Sequence, residues 1–255
     1  MNKVFAGITY GGRADLLAQV REAAEAEADM TMVWDNTRFP NAGHTRPVRA
    51  MMRQAAAEGF GLFLQVSDDA ICAPGYVAVA REVMARDPRV ACVCTPQMNV
   101  GPFPELTGEC KAMAPDGVKA PEGYILECAF VACVFRLEAM ADIGFPDPRF
   151  FFHSFDTDTC WTLWARGWRV YQVGAELVEH VEHAAGRNAR DLLDPWLGEE
   201  LRRQDCWRLW HKWSQADWPR IAHTAPYLHA YCVGKHAMHL PWTAERYAQV
   251  RHLVR

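Results

Sequence analysis

Residues 3–36 read KVFAGITYGGRADLLAQVREAAEAEADMTMVWDN, and this stretch decides the fold. It contains two apolar runs, KVFAGITY and MTMVWDN, joined by a segment whose apolar residues recur with a period of about 3.6. This alternation predicts a strand, a helix and a second strand. Because the connection is long enough to hold a crossover helix, the two strands are predicted to lie parallel in one sheet.

The same alternation continues through residue 94 and defines the fold class. Two more helices and two more strands follow, in the order RPVRAMMRQAAAEG, FGLFLQVSDD, PGYVAVAREVMAR and RVACVC. Strands separated by helices of this length predict an α/β fold, with a mostly parallel sheet flanked by helices. In the last strand, Cys92 and Cys94 are predicted to face the same side, because side chains alternate along a strand.

Size and charge limit the classes of protein to consider. The chain has 255 residues, of which 50% are hydrophobic, and its formal net charge is -4. Such a chain can form one large domain, or a domain with an appendage, and its charge gives no support for nonspecific nucleic-acid binding. No stretch reaches the roughly 18 to 20 apolar residues of a membrane span, and the start MNKVFAGITYGG lacks a leader cleavage site. These features predict a cytoplasmic protein without a transmembrane segment.

The cysteines are interpreted as reduced thiols in the core. There are nine, an odd number, and no pair has the Cys-x-x-Cys spacing of a redox motif or a zinc ribbon. Free cysteine behaves as a small apolar residue in protein interiors. A redox role for Cys92 and Cys94 is the alternative.

Two stretches interrupt the periodic pattern. Residues 97–123 are rich in proline and glycine, and a loop of that length in a compact domain is usually functional or disordered. Beyond about residue 187 the sequence predicts helices rich in tryptophan, arginine and histidine. We therefore expect one domain over residues 1–186 and a helical C-terminal extension packed on it over residues 187–255.

Polar residues follow each of the first three predicted strands. They are Thr9, Tyr10, Gly11 and Gly12 after the first strand, Asp35 and Asn36 after the second, and Ser67, Asp68 and Asp69 after the third. Each cluster alone could simply form a turn. Since parallel strands end at one edge of a sheet, where α/β proteins bind their ligands, the three clusters together indicate a binding site.

The order of these motifs resembles a family of known enzymes. TYGG, DN and SDD are followed by ACVFR, FPDPRFFF, DTDTCWTLWARGWRVY and finally EH. This order is similar to a family 2 glycosyltransferase of the GT-A fold, a Rossmann-like sheet, over about residues 3–185. Within the family, the absence of membrane helices and of a Gln-x-x-Arg-Trp motif resembles the single-transfer rhamnosyltransferase-like group. The resemblance implies an inverting transfer of one sugar from a nucleotide-diphosphate sugar to a hydroxyl acceptor.

The resemblance also implies a divalent metal, Mn²⁺ or Mg²⁺, at the donor diphosphate. Asp69 matches the metal-binding carboxylate of the family, His180 matches a metal- or diphosphate-contacting histidine, and Asp68 would face the ribose or sugar of the donor. Asp69 could instead cap the helix that follows it. His180 could be a surface residue, and the nearby Glu182 and His183 make its alignment ambiguous.

Three more residues match the nucleotide site of the family. Asp35 corresponds to the carboxylate that hydrogen-bonds the base, and Thr9 and Tyr10 flank that base. The alternative for Asp35 and Asn36 is an Asx turn.

The catalytic base implied by the resemblance is Asp156. It would take the proton of the acceptor hydroxyl from the N-terminal end of a helix, where the helix dipole keeps a carboxylate ionised. Asp158, two residues on, is expected to cap or position the helix, with a role as base the alternative. Arg136 is a possible supporting residue, and Phe150 to Phe152 are expected to form the wall behind the site.

Some positions depart from the family pattern. Phe155 stands where a glutamate usually precedes the base, Ser67 stands where a first aspartate is common, and Gly11 and Gly12 replace more polar residues. These departures keep open an alternative in which the protein is a catalytically silent nucleotide-binding or scaffold protein with the same fold.

The acceptor is left open by the sequence. A glycan and a lipid-linked sugar are the main candidates, and a modified base in nucleic acid is a minority reading. Trp207, Trp210 and Trp213, among basic residues, could stack on sugars or bases or lie on a membrane surface. Because they recur every three residues, they are expected instead to form one packed helical stripe against the domain or against the second subunit of a homodimer.

Overall fold

A computed structural model describes residues 2–37, 42–96, 122–181, 195–221, 225 and 228. The strands are β1 (Val4–Tyr10), β2 (Met30–Asp35), β3 (Leu62–Ser67), β4 (Ala70–Cys72), β5 (Val90–Cys94), β6 (Gly123–Ile125), β7 (Ala132–Arg136), β8 (Arg169–Gln172) and β9 (Val178–His180). The helices are α1 (Ala14–Glu27), α2 (Thr45–Ala57), α3 (Tyr76–Arg86), α4 (Leu137–Asp142), α5 (Phe155–Ala165), α6 (Pro195–Ser214) and α7 (Trp218–Ile221).

Seven of the strands form one sheet in the order β2-β1-β3-β7-β5-β8-β6. The pairs β1–β2, β1–β3 and β5–β8 are parallel, whereas β7 runs antiparallel to both of its neighbours and β6 runs antiparallel to β8. Five strands therefore point one way and two the other. The predicted α/β class, with a mostly parallel sheet flanked by helices, is confirmed.

Alternating side chains of the sheet supply two separate cores. On β1, Phe5 belongs to one core and Ile8 to the other, and on β3 the same division separates Phe63 from Val66. One core packs beneath α1 and α3, and the other beneath α2, α4, α5 and α6. Cys92 and Cys94 both lie in the second core, so the prediction that they share one face of β5 is confirmed.

The small ribbon of β4 and β9 extends from the edge of the sheet at which β3 ends. These strands pair antiparallel, with Ala70 opposite His180, and the Val181 amide donates to the Asp69 carbonyl over 2.9 Å. A strand that is distant in sequence therefore returns to the residues directly after β3.

Helix α6 packs against the rest of the chain through its tryptophans. Trp207 and Trp213 are buried, and the Trp213 ring meets that of Trp161 on α5 edge to face, with centroids 5.4 Å apart. The interpretation as a stripe packed against the domain is confirmed for Trp213, whereas the ring of the buried Trp207 contacts those of Trp210 and His211 on its own helix. Of the predicted loop over 97–123, residues 97–121 lie outside the described residues, and its last residue, Gly123, begins β6. The junction near residue 187 also lies outside them.

In the portion of the chain that the structure covers, no helix combines the length and apolar character needed to cross a bilayer.

Candidate active site

The structure brings Asp69 and His180 together. Asp69 follows β3 and is buried, and its Oδ2 lies 3.4 Å from Nε2 of the partly exposed His180. Their meeting depends on the β4–β9 ribbon, which sets His180 beside the turn that carries Asp69. A carboxylate and an imidazole at this separation form a donor pair that can hold a divalent cation.

Asp68 holds the first loop of the chain. Its Oδ2 accepts hydrogen bonds from the backbone amides of Gly11, at 2.7 Å, and Arg13, at 3.2 Å. Burial raises the pKa of the Asp68 carboxyl above its ordinary value, and the two amide donors oppose that shift. The loop after β1 is thereby fixed next to the turn after β3.

The residues predicted to surround a nucleotide base lie at the ends of β1 and β2. Asp35 forms the Asx turn that was the structural alternative, since its Oδ1 accepts from the Thr37 amide over 3.0 Å and from the Thr37 hydroxyl. Thr9 is buried, and its hydroxyl has no hydrogen-bond partner within the described part of the chain. Tyr10 is partly exposed and pairs with Asp35 in register, so these two side chains border the same edge.

Asp156 lies in the first turn of α5, two residues after a strained one. Its Oδ1 accepts from the Thr157 amide over 2.8 Å, as expected at a helix N-terminus. Ser154, which precedes the helix, has a φ of 60°, a left-handed conformation unfavourable for a residue with a side chain. The surroundings of this turn must therefore hold it in place.

Much of that support comes from Asp205 on α6, a residue that the sequence analysis missed. Its buried carboxylate accepts hydrogen bonds from the backbone amides of Phe151, Phe152 and His153, at 2.8 to 3.0 Å. Arg208, one turn further along α6, pairs with the same carboxylate at 2.8 Å. The side chain of Asp205 on α6 therefore fixes the segment that leads into Asp156.

Asp158 makes a second connection between α5 and α6. The carboxylate is buried and accepts from Lys212 Nζ at 2.7 Å and from Trp213 Nε1 at 2.8 Å. Burial raises the pKa of the Asp158 carboxyl, and Lys212 and the Trp213 hydrogen bond oppose the increase. This placement agrees with the expectation that Asp158 positions the helix.

Aromatic contacts place the start of α5 at the carboxyl end of β3. Phe155 meets Phe130 edge to face at 5.3 Å, and the Ser67 amide donates to the carbonyl of Val131, the residue after Phe130. Phe155 also stacks on His44, with centroids 5.3 Å apart. Asp156 therefore lies on the same side of the molecule as the turn that carries Asp69.

His44 is a second residue of the site that sequence reasoning did not find. Its backbone amide donates to the Phe151 carbonyl over 2.8 Å, and the preceding Gly43 approaches that carbonyl so closely that no Cβ would fit. Burial lowers the pKa of His44 to about 4, and the negative charge of Asp69 acts in the opposite direction. The imidazole is therefore neutral at neutral pH.

Arg136 is not brought to the site. It lies at the end of β7, which runs antiparallel to β3, so that Arg136 pairs with Leu62 at the opposite edge of the sheet. Its guanidinium donates to the carbonyls of Val90 and Met84, both at 3.1 Å. These hydrogen bonds link β5 to α3, and they hold Arg136 at the edge of the sheet opposite to the one where Asp69 lies.

Comparison with solved structures decides the fold. GalNAc-T7 with UDP, GalNAc and Mn²⁺ has a TM-score of 0.55 and 10% identity, over 94% of this chain and 58% of that one. TarS of S. aureus, residues 1–349 with UDP-GlcNAc, has a TM-score of 0.55 and 12% identity, over 94% and 73%. The mannosyltransferase PcManGT of Pyrobaculum calidifontis, with GDP-Man and Mn²⁺, has 0.53 and 12%, over 98% and 79%.

The chain has a GT-A fold. At such low identity the likeness shows the architecture alone. No protein-family model matches the sequence, and no curated protein matches it either. The chain also spans little more than half the length of GalNAc-T7, at 58%. The activity of the GT-A site must therefore be argued from its own residues.

We predict that Asp205→Ala destabilises the protein by about 2 to 4 kcal/mol, because three backbone amides lose a buried acceptor. Urea denaturation of both proteins measures this difference. Glu200→Ala on the same helix is the control, with an expected change of about 0.5 kcal/mol or less. Equal midpoints for wild type and Asp205→Ala would contradict the assigned hydrogen bonds.

A second prediction concerns stability in acid. The pKa of His44 is about 4 in the folded protein, against about 6.5 in an unfolded chain. Between these values the unfolded chain binds more protons, so stability falls as the pH decreases from about 6.5 to 4, by up to about 3 kcal/mol. Denaturant titrations across this range should show a shallower slope for His44→Gln than for wild type or the control His211→Gln. Identical slopes in all three proteins would exclude a buried neutral His44.

Proposed function

We propose that this protein is a metal-dependent inverting glycosyltransferase of the family 2 type. It would move one sugar from a nucleotide-diphosphate sugar to a hydroxyl acceptor, with Asp156 as the general base. One observation carries the proposal: Asp69 and His180 meet at the carboxyl edge of a GT-A sheet, on the side where α5 presents Asp156. Acidic and imidazole groups gathered at a sheet edge of this kind are typical of sites that bind and transfer phosphorylated ligands.

The donor set at Asp69 and His180 fits a divalent metal. A carboxylate oxygen and an imidazole nitrogen suit Mn²⁺ well, whereas Mg²⁺ prefers oxygen ligands alone. Two structures of similar fold, GalNAc-T7 and PcManGT, were solved with Mn²⁺. When bound, the cation would neutralise charge on the diphosphate as the nucleotide leaves.

The loop after β1 and the end of β2 are the proposed nucleotide site. Asp68 fixes the backbone of Gly11 and Arg13, which keeps this loop in one conformation beside the metal ligand. Tyr10 and Asp35 border the loop, and the buried hydroxyl of Thr9 next to it has no hydrogen-bond partner among the residues that the structure describes. TarS holds UDP-GlcNAc and PcManGT holds GDP-Man, so a panel of bases must identify the donor.

The chemistry assigned to Asp156 is the removal of one proton. As the acceptor oxygen attacks the anomeric carbon, its proton passes to the Asp156 carboxylate. The bond between that carbon and the diphosphate oxygen breaks, and the nucleotide diphosphate departs with the bonding electrons on the opposite face. The amide of Thr157 donates to this carboxylate over 2.8 Å, and the position at a helix N-terminus suits a negative charge.

The acceptor is proposed to enter beside Phe152. This ring is 39% exposed, unusual for a large apolar side chain, and it lies four residues before Asp156. An aromatic face of this kind suits the apolar face of a sugar ring. Since such a ring can stack on a sugar or on a base, it is the formal net charge of -4 that favours a glycan or lipid-linked sugar hydroxyl over a nucleic-acid acceptor.

For catalysis, we predict that Asp156→Asn lowers donor turnover by at least about 10²-fold, because no other carboxylate is assigned to take the proton. Release of nucleotide diphosphate in the presence of acceptor measures turnover, and calorimetry should show unchanged nucleotide affinity. Asp142→Asn, an exposed carboxylate near the end of α4, is the matched control. A wild-type protein that binds nucleotide but never turns over would instead support the catalytically silent alternative.

For the metal, Asp69→Ala should weaken Mn²⁺-dependent binding of the nucleotide diphosphate by at least about tenfold, a loss of 1.4 kcal/mol or more. Titration calorimetry with and without Mn²⁺ measures the effect. Glu58→Ala, at the exposed end of α2, should bind like wild type. Unchanged affinity in Asp69→Ala would exclude Asp69 as a metal ligand.

A further inference from the structure

Five buried cysteines lie together in the core beneath α5. They come from separate segments: Cys92 and Cys94 from β5, Cys128 from the segment before β7, Cys133 from β7 and Cys160 from α5. All five are 3% exposed or less. Cys128 is central, since its Sγ lies 3.8 Å from that of Cys92 and 3.9 Å from those of Cys133 and Cys160.

Three of the sulfurs have the mutual spacing of metal ligands. Those of Cys92, Cys128 and Cys133 all lie within 4.8 Å of one another. A tetrahedral zinc with bonds of about 2.3 Å separates its sulfurs by about 3.8 Å. Packed thiols also reach such distances, but packing alone does not require sulfurs from four segments to converge on one atom.

We propose that Cys92, Cys128 and Cys133 bind one thiophilic metal ion, with Zn²⁺ as the first candidate. The sulfur of Cys160 lies 3.9 Å from that of Cys128 but outside the mutually close set of three, so it would have to move closer to serve as a fourth ligand. Thiolate ligands without carboxylate or imidazole select soft or borderline cations such as Zn²⁺ and Cu⁺ over Mn²⁺ and Mg²⁺. This site is distinct from the pair of Asp69 and His180, and it does not depend on the proposed transferase activity.

Binding at this site exchanges protons for the cation. Each thiol that becomes a ligand gives its proton to solvent and keeps the sulfur electron pair for the metal. Burial raises the pKa of Cys92, Cys133 and Cys160 well above the ordinary thiol value, so without a cation these groups stay protonated at neutral pH. Apparent metal affinity should therefore rise with pH.

The position of the cluster gives the metal a structural task. Cys160 is four residues after Asp156 on α5. The negative charge of Asp156 is near enough to contribute to the raised pKa of both Cys133 and Cys160. A metal held by Cys92, Cys128 and Cys133 would tie β5 to β7 and to the segment before β7, in the core beneath the helix that carries the proposed catalytic base. Because all the ligands are buried, the cation must enter during folding or through a transient opening.

The test is the metal content of the full-length protein, purified without chelator and also refolded with Zn²⁺ or Co²⁺. We expect about one Zn²⁺ per chain, and a cobalt form with the strong near-ultraviolet absorption of thiolate-to-metal charge transfer. Metal loading should raise the melting temperature, as any ligand of the native state does. Less than about one tenth of an equivalent after both treatments would overturn the proposal.

Variants locate the site and separate it from other cation sites. Cys128→Ala and Cys133→Ala should lose the bound zinc and the cobalt band, whereas Cys72→Ala, a buried cysteine in the other core, should keep both. Asp69→Ala should also keep the cobalt band, since that carboxylate belongs to the proposed manganese site. A folded Cys128→Ala protein that retains a full equivalent of thiolate-bound metal would overturn the assignment. Should the Cys128 variant fail to fold, the wild-type stoichiometry and charge-transfer band still decide the question.

Discussion

The carboxylate of Asp205 is the contact on which the candidate active site most depends. It accepts hydrogen bonds from three consecutive backbone amides, those of Phe151 to His153. These bonds hold the strained turn at Ser154, directly before α5. Without such a partner, the three amides would lose their shared acceptor and the left-handed residue would relax. The orientation of Asp156 therefore depends on a residue of α6, nearly fifty positions later in the chain. Helix α6 is therefore part of the site's construction.

Much of the fold and half of the site followed from the sequence for a clear physical reason. The period of the apolar residues distinguishes strands from helices in the sequence. Because parallel strands end at one edge of a sheet, polar residues at several strand ends must lie close together. Asp68 and Asp69 were found in this way, and the motif order added His180, which the β4–β9 ribbon does bring to Asp69. The motif at residues 156–171 likewise placed Asp156 at the start of a helix, where the structure has it.

The remaining features depend on contacts that periodicity does not encode. Arg136 follows a strand as the others do, but β7 runs in the opposite direction, and the sequence gives no sign of strand direction. Asp205 looks like any aspartate on a polar helix until the helix is docked. His44 acquires its low pKa only from the burial provided by loops far apart in sequence. The cysteines of the cluster are separated by up to 68 positions, from Cys92 to Cys160, and only Cys128 and Cys133 have a spacing found between zinc ligands.

The central claim is that the carboxyl edge of this sheet binds a nucleotide diphosphate through a divalent cation. Melting temperatures of the wild-type protein, measured with a panel of nucleotide diphosphates and nucleotide sugars in the presence and absence of Mn²⁺, test it most directly. The account predicts that one base gives a clear rise in melting temperature and that the rise requires the metal. If every nucleotide left the melting temperature unchanged at saturating concentration, with and without Mn²⁺, the proposed donor site would be contradicted.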